Sequence, residues 1–142
     1  MGLKVYTGGT FDLFHAGHVN FLKRCQEIAG VGGRVVVALN TDEFVFKYKK
    51  KKPILSFQQR KDVLDSCRYV DEVVENSGGE DSKITIEMVQ SVDVIAIGSD
   101  WATKNYYAQM QFNQDWLDSK NISLIYIPYT KGISSTFIKG QL

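Results

Sequence analysis

The sequence predicts an α/β fold, a doubly wound parallel sheet of five strands with helices on both faces, and three observations support this prediction. Five short apolar runs rich in β-branched residues recur along the chain, as expected of buried strands. Segments with helical spacing separate them, and such alternation is typical of a parallel sheet with right-handed crossovers. The 142 residues, 44% hydrophobic and 23% charged, fit one globular domain covering residues 1–142.

The expected strands cover residues 3–6, 34–39, 71–74, 92–97 and 123–127. The expected helices cover residues 17–28, 41–46, 56–67, 82–89, 106–119 and 134–139. The clearest helix is 56–67, because Ser56 and Gln59 form a capping box ahead of an apolar side. This order predicts a Rossmann-like sheet, whose ligands bind beyond the carboxyl ends of the strands near the reversal of strand order. We therefore expect the site at the exits of the first, fourth and fifth strands, residues 7–18, 98–104 and 128–136.

The composition limits the kinds of partner that we expect this protein to have. The formal net charge of +1 predicts no general attraction to nucleic acid, so electrostatic function depends on local clusters such as the lysines at 47 and 49–52. Two cysteines make no disulfide framework, and no apolar run reaches membrane-spanning length. The first residues resemble a strand rather than a signal peptide, so we expect a cytoplasmic protein without a membrane partner.

The two histidines of the chain, His15 and His18, lie in a glycine-rich turn between the first strand and the first helix. Backbone N–H groups at such a turn bind anions, and two imidazoles add donors that can be positively charged near neutral pH. Zinc ligation is disfavoured, because no third histidine exists and Cys25 and Cys67 lack ligand spacing. The spacing fits neither a dinucleotide fingerprint nor a Walker loop. A turn whose histidines merely cap the helix stays an alternative.

A second anion site is expected where residues 134–136, all hydroxyl-bearing, open the last helix, and two such sites suggest a polyphosphate. With Gly-Thr-Phe-Asp at 9–12 and His-Ala-Gly-His at 15–18, the chain resembles the cytidylyltransferase branch of the nucleotidyltransferases. Residues 40–44, 60–61, 68–73 and 132–136 also follow that family's order and spacing. Within it, the likeness is greatest to compact members whose acceptor is glycerol 3-phosphate, which have Gly-Asp-Asp-Trp where this chain has Gly98-Ser99-Asp100-Trp101.

The resemblance implies a reaction in which a phosphorylated alcohol, glycerol 3-phosphate, attacks the α-phosphorus of CTP to give a CDP-alcohol and pyrophosphate. Alignment and stabilisation of oxygen charge suffice for such chemistry. Mg²⁺ would be carried by the triphosphate, with no metal site of the protein's own. The family also suggests a homodimer. The alternatives are transfer of another nucleotidyl group, such as adenylyl, and a catalytically silent nucleotide-binding module.

The resemblance also implies roles for individual residues. The catalytic residues would be His15, His18 and Lys51. The nucleotide would contact Thr10, Phe11, Gly17, Gly98, Asp100, Tyr129, Gly132, Ile133, Ser134, Ser135 and Thr136. The acceptor would contact Lys49, Arg60, Arg68 and Lys83. From the residues alone, the lysine run could instead be a solvated face, and Arg60 and Arg68 could be ordinary surface ion-pair partners.

Three positions depart from the family pattern. Tyr129 replaces the arginine that opens the final motif, Ser135 replaces a threonine, and Ser99 replaces an aspartate. The serine at 135 keeps the hydroxyl. Loss of the arginine removes a fixed cation and a planar set of donors from the expected nucleotide pocket. Either a neighbouring cation such as Lys131 takes over, or the nucleotide differs.

Overall fold

A computed structural model describes residues 2–77, 82–99, 110 and 112–142. The strands are β1 (Lys4–Gly9), β2 (Arg34–Asn40), β3 (Glu72–Asn76), β4 (Val94–Gly98) and β5 (Ser123–Ile127). The helices are α1 (Ala16–Ala29), α2 (Asp42–Lys49), α3 (Phe57–Ser66), α4 (Ser82–Val89), α5 (Gln114–Ser119) and α6 (Ser135–Gln141). All neighbouring strands pair in parallel, in the order β3-β2-β1-β4-β5. The predicted doubly wound sheet is thus confirmed, and strand order reverses between β1 and β4.

Helices cover both faces of the sheet. On one face, Leu22 of α1 and Leu64 of α3 pack with Val35 and Val37 of β2. On the other face, Ile86 of α4 belongs to a cluster that includes Tyr6, Ala38 and Leu117. Because both faces are covered, central strands such as β2 are apolar at nearly every position instead of alternating.

The predicted helix over residues 106–119 is wrong as a continuous element. Residues 112 and 113 are not helical, and Asn113 is the N-cap of the short α5, where its Oδ1 accepts from the backbone N–H of Trp116 (2.9 Å). An asparagine side chain bonds a nearby N–H readily and so favours a helix start over a helix interior. Residues 106–109 and 111 lie outside the described part of the chain.

Two other boundaries matter for the site. Strand β1 continues to Gly9 rather than ending at residue 6, so both glycines of the turn motif belong to the sheet. Helix α2 continues to Lys49 rather than ending at residue 46, and Lys50 ends it in the left-handed conformation (φ 61°). The lysine run therefore begins on a helix and continues into a loop.

Within the described residues, no helix is both long enough and apolar enough to span a lipid bilayer.

Candidate active site

A cleft of about 1050 Å³ opens at the carboxyl ends of the strands. Of the three predicted ranges, 7–18 and 128–136 contribute most of their residues to the lining and 98–104 contributes Gly98, the last residue of β4, while residues 100–104 lie outside the described part of the chain. The sequence did not predict that β2 and β3 also contribute, through Asn40 and Asn76 at their last positions. Residues of β1 to β4 and of the segment after β5 therefore line one site.

Most of the predicted site residues line this cleft. They are Thr10, Phe11, His15, Gly17, His18, Lys49, Lys51, Gly98, Tyr129, Ile133, Ser134, Ser135 and Thr136. Gly132, Arg60, Arg68 and Lys83 are not among the residues that line it. Asp100 and its neighbour Trp101 lie outside the described residues.

His15 and His18 stand side by side at the start of α1. The backbone N–H of His15 donates to Nδ1 of His18 (3.2 Å), and Nδ1 of His15 accepts from the backbone N–H of Gly17 (3.0 Å). The two rings stack with centroids 3.8 Å apart. Because both Nδ1 atoms accept hydrogen bonds, each neutral ring holds its proton on Nε2 and keeps that atom for a ligand.

Burial lowers the pKa of both imidazoles. The pKa of His18 falls to about 4, mainly through burial and also through the neighbouring His15, while Asp12 opposes the shift. Burial likewise lowers the pKa of His15. The expectation that the two imidazoles can carry positive charge near neutral pH is therefore corrected, because burial favours the neutral form of both rings, in which each can still donate a hydrogen bond.

The turn before α1 holds the histidines through close packing. A Cβ added at Gly17 would lie 2.8 Å from the His15 ring, so only glycine lets that ring cap the helix. Phe14 stacks on the His18 ring with centroids 5.3 Å apart. Phe11 and Leu13 both have a φ of 50°, an unfavourable region for bulky side chains, and such strain is often found at functional sites.

Asp12 joins this turn to the loop that follows the lysines. Its carboxylate accepts from the backbone N–H groups of Ile54 (2.8 Å) and Leu55 (3.0 Å), and Lys139 Nζ lies 3.6 Å away. Burial alone would raise the pKa of Asp12, but the backbone hydrogen bonds and Lys139 together hold it below its usual value. The sequence motif contained this aspartate, but no role was predicted for it.

Arg60 occupies a different place from the predicted one. It is 1% exposed and lies beneath the cleft rather than in it. Its guanidinium donates to the carbonyl oxygens of Leu55, Thr10 and Asn40 and to Asp42 Oδ1 (2.6 Å). These bonds tie three loops together. Arg60 therefore positions the site and is neither a substrate ligand nor a surface ion-pair partner.

Three other predicted site residues, Arg68, Gly132 and Lys83, also do not line the cleft. Arg68 follows the end of α3, at the amino-terminal edge of the sheet, where its guanidinium donates to Tyr69 Oη (2.9 Å) and lies over that ring. Gly132 has a φ of 84°, so it turns the chain ahead of α6. Lys83 lies in the first turn of α4, next to Ser82, which does line the cleft.

Helix α6 is held against the histidine turn. Ser135 Oγ donates to the backbone carbonyl of Asp12 (2.6 Å), and Asn20 Nδ2 donates to Thr130 Oγ1 (3.0 Å). Ser134 is the N-cap, its Oγ accepting from the N–H of Phe137 (2.9 Å). The first motif, which follows β1, and the last motif, which follows β5, are therefore in contact, although β4 lies between their strands.

The lysine run divides into two groups. Lys49, Lys51 and Lys52 line the cleft, and Lys49 Nζ also lies 5.7 Å from the Tyr48 ring centroid. Lys50 Nζ instead donates to the carbonyl oxygen of Lys47 (3.1 Å) and does not line the cleft. The run is thus only partly a solvated face.

A chain of neutral hydrogen bonds crosses the floor of the cleft. Asn40 Nδ2 donates to Thr10 Oγ1 (3.1 Å), and Asn76 Nδ2 donates to Asn40 Oδ1 (2.8 Å). Thr85 Oγ1 donates to Asn76 Oδ1 (3.2 Å). Asn40 and Asn76 are each a polar residue at the last position of a strand. That position is the sequence signal that could have identified them.

The protein groups available to a metal ion are few. No cluster of three or more His, Cys, Asp or Glu side chains suited to a metal occurs in the part of the chain that the structure describes. Asp12 is the one carboxylate among the described lining residues, and its oxygens already accept from backbone N–H groups.

The described site combines two neutral imidazole donors, four lysines and several hydroxyl groups around one cleft, which is an arrangement suited to the phosphates of a nucleotide. The chain belongs to the cytidylyltransferase-like family, whose model matches residues 6–141. It is 39% identical to glycerol-3-phosphate cytidylyltransferase of Bacillus subtilis (strain 168) over 139 residues, which cover 98% of this chain and 96% of that protein.

Two further comparisons describe the family's range. The chain is 34% identical to FAD synthase of Korarchaeum cryptofilum (strain OPF8), covering 97% of this chain and 90% of the relative. Its fold matches that of the lipopolysaccharide core biosynthesis protein from Thermoplasma volcanium GSS1 with a TM-score of 0.68, at 23% identity, over 92% of this chain and 100% of the other. At that identity the match bears on fold alone.

Proposed function

We propose that this protein transfers a cytidylyl group from CTP to a phosphorylated alcohol, glycerol 3-phosphate, and releases pyrophosphate. The observation that carries the proposal is the placing of His15, His18, Lys49 and Lys51 around one cleft. The similarity to glycerol-3-phosphate cytidylyltransferases over nearly the full length of both chains supports the choice of nucleotide and acceptor.

In the proposed reaction, a phosphate oxygen of the acceptor attacks the α-phosphorus of CTP. The new P–O bond forms as the bond from that phosphorus to the bridging oxygen breaks, and pyrophosphate leaves. Negative charge grows on the leaving group and the α-phosphoryl oxygens, where donors already in place are most effective. The Nε2–H groups of His15 and His18 donate to these oxygens, and no covalent enzyme intermediate is needed.

The lysines supply the full charges that the neutral histidines lack. Lys51 would bind the phosphates of CTP and Lys49 that of the acceptor, both projecting from the segment that follows β2. The hydrogen bonds from Ile54 and Leu55 to Asp12 hold this segment against the histidine turn. Both substrates' phosphates would therefore meet in a fixed geometry, with Mg²⁺ entering as part of the triphosphate substrate.

A second candidate is adenylyl transfer, which the similarity to FAD synthases favours. FAD contains an adenylyl group joined to the phosphate of flavin mononucleotide, itself a phosphorylated alcohol. The same in-line chemistry would form it from ATP. Tyr129 lines the cleft and stands where the family pattern has an arginine. Among the described residues, it is therefore the position at which a different nucleotide would be recognised.

A screen of triphosphates against acceptors tests both candidates. CTP and ATP are each paired with glycerol 3-phosphate, ribitol 5-phosphate and flavin mononucleotide, while pyrophosphate release is followed and products are identified by mass. CDP-glycerol as the product with the highest kcat/KM supports the proposal. FAD as the main product would replace it with the second candidate, and no product from any pair would favour a silent binding module.

A further inference from the structure

Gly8 lines the cleft one residue before the end of β1, and neither its backbone nor its packing requires a glycine. A Cβ at this position would lie 3.7 Å from the Ala38 carbonyl oxygen and 4.0 Å from Asn76 Nδ2 and Tyr6 Cε1, which are ordinary contacts. Its φ lies outside the left-handed region. Glycine inside a strand also weakens the strand. Folding alone therefore does not explain why this position lacks a side chain.

Other glycines of the motif are different. A Cβ at Gly9 would come within 2.9 Å of the Phe11 ring, and one at Gly17 within 2.8 Å of the His15 ring. Both glycines are required for the turn to pack as it does. At Gly8 the missing side chain instead leaves space in the floor of the cleft.

Uncharged polar groups surround this space. Asn76 lies beside it, already fixed by Asn40 and Thr85, with one Nδ2 hydrogen beyond the one given to Asn40. The Tyr6 ring edge borders it, although Tyr6 itself is fully buried and does not line the cleft. The Asn76 amide does line the cleft, and its remaining hydrogen suits a hydroxylated ligand.

The position of this space separates it from the nucleotide phosphate donors. Side chains alternate along a strand, so Gly8 faces the same side of the sheet as Tyr6, towards α4. His15 and His18 instead open α1, which packs on the opposite face, and Ser134 follows β5 beyond β4. Lys49, at the end of the helix after β2, lies on the β2 side of β1, as Asn76 does.

We propose that Gly8 determines acceptor specificity, because the space above its α-carbon holds the alcohol portion of the acceptor while its phosphate meets Lys49. This inference rests on the proposed nucleotidyl transfer. The acceptor's hydroxyls would then lie against Asn76, which lines the cleft. A larger residue at position 8 would exclude the acceptor and leave the nucleotide end of the cleft unchanged.

The test is a size series at this position. Gly8→Ala and Gly8→Val are compared with wild type for the KM of glycerol 3-phosphate at saturating CTP, the KM of CTP at saturating acceptor, and the melting temperature. We expect Gly8→Ala to raise the acceptor KM by about 10-fold, the effect of one methyl group in a filled pocket, and Gly8→Val to raise it further. The KM of CTP should stay within about 2-fold of wild type, since no nucleotide donor moves.

The melting temperature separates this role from a structural one. Gly8→Ala should melt at or above the wild-type temperature, because alanine fits the site and stiffens the unfolded chain. Gly140→Ala is the matched control, since a Cβ there meets nothing within 4 Å, and neither KM should change.

Three results would overturn the inference: an unchanged acceptor KM in Gly8→Ala, an equal rise in the KM of CTP, or a lower melting temperature in Gly8→Ala. Absence of nucleotidyl transfer by the wild-type protein would instead overturn the proposed function, and this inference with it.

Discussion

The backbone N–H of His15 donates to Nδ1 of His18, so the helix start and the two cleft-facing imidazoles hold each other in place. His15 in turn caps α1 by accepting from Gly17. Each ring therefore uses Nδ1 for the fold, which leaves Nε2 for the ligand of the proposed reaction. The alternative in which the histidines merely cap a helix and the alternative in which they bind phosphate are compatible, because different atoms serve each purpose.

Substitutions at His15 can separate these two functions. His15→Ala should cost about 1 kcal/mol of unfolding free energy through loss of the cap, and should also lower turnover by at least ~100-fold through loss of the Nε2–H donor. His15→Asn should keep the cap, because asparagine is a favoured N-cap residue, but still lose turnover because its amide is too short. Urea unfolding and steady-state rates measure the two effects. Near-normal turnover in a folded His15→Asn would contradict the catalytic role.

A substitution at His18 tests the second histidine of the pair. His18→Ala should also lower turnover by at least ~100-fold, because it removes the second donor to the developing oxygen charge. It should additionally leave the His15 N–H without its partner. A folded His18→Ala variant with wild-type turnover would show that this ring only shapes the turn.

Stability should depend on pH through the same ring. The pKa of His18 is about 4 in the folded protein against 6.5 for the free side chain, so between those values the unfolded chain binds more protons. Unfolding free energy should be constant with respect to this group above pH 6.5 and fall as pH drops towards 4, by about 2 kcal/mol after allowance for partial exposure. Urea unfolding at half-unit pH steps would detect it. His18→Asn should show a smaller loss over the same range, and an equal loss would assign the effect elsewhere.

Arg60 should be essential to the stability of the fold, and a lysine at this position should not substitute for it. Its guanidinium satisfies three carbonyl oxygens and Asp42, and its removal leaves these buried acceptors unpaired. Arg60→Ala should lower unfolding free energy by roughly 3 kcal/mol or more. Arg60→Lys should recover little, because one ammonium cannot span the four acceptors. Thermal unfolding decides it, and a wild-type melting temperature in Arg60→Lys would contradict the positioning role.

The sheet could be predicted from the sequence because its signal is local. Strand β5 and helix α4 have the predicted bounds, since an apolar run or a helical period is visible within a few residues. The ends of β1 and α2 were misjudged by about three residues. Pairing with β2 extends β1 through two glycines, and glycine carries no strand signal of its own.

The site could be predicted only in part, for a physical reason. Short motifs indicated the histidines and Ser134–Thr136, because adjacent residues supply the donors there. The place of Arg60 depends on carbonyl groups of Thr10 and Asn40, 50 and 20 residues away in sequence. No local pattern distinguishes a buried arginine on a polar helix from an exposed one. The neutral histidines were likewise missed, because their pKa values depend on tertiary burial.

The lysines offer an internal control. Lys49→Ala should raise the KM of the acceptor and Lys51→Ala that of CTP, each by at least ~10-fold, because each loses a charged contact to phosphate. Lys50→Ala should alter neither KM, since the Lys50 ammonium bonds the Lys47 carbonyl outside the cleft. Its effect should be confined to the salt dependence of association. Initial rates at two ionic strengths measure all three variants. Equal, small effects at the three positions would return the whole run to a solvated face.

Tyr129 stands where the family pattern described above has an arginine, and it lines the cleft with 61% of its surface exposed. In a cytidylyltransferase site, Tyr129→Arg should tighten CTP binding, because a charge-assisted hydrogen bond contributes about 1.5 to 3 kcal/mol against about 1 kcal/mol for a neutral one. The exposed position accommodates the longer side chain. Tyr129→Phe is the matched control, since it keeps the ring and removes only the hydroxyl.

Dissociation constants of wild type and both variants for CTP and ATP, measured by calorimetry, distinguish the two nucleotides. Tighter CTP binding by Tyr129→Arg, with Tyr129→Phe close to wild type, supports cytidylyl transfer with tyrosine as a weaker substitute for the family's cation. If tyrosine instead stacks on the base of a different nucleotide, the arginine variant should lose affinity for that nucleotide and gain none for CTP. A wild-type preference for ATP that Tyr129→Arg abolishes would therefore overturn the choice of CTP and favour the adenylyl reaction.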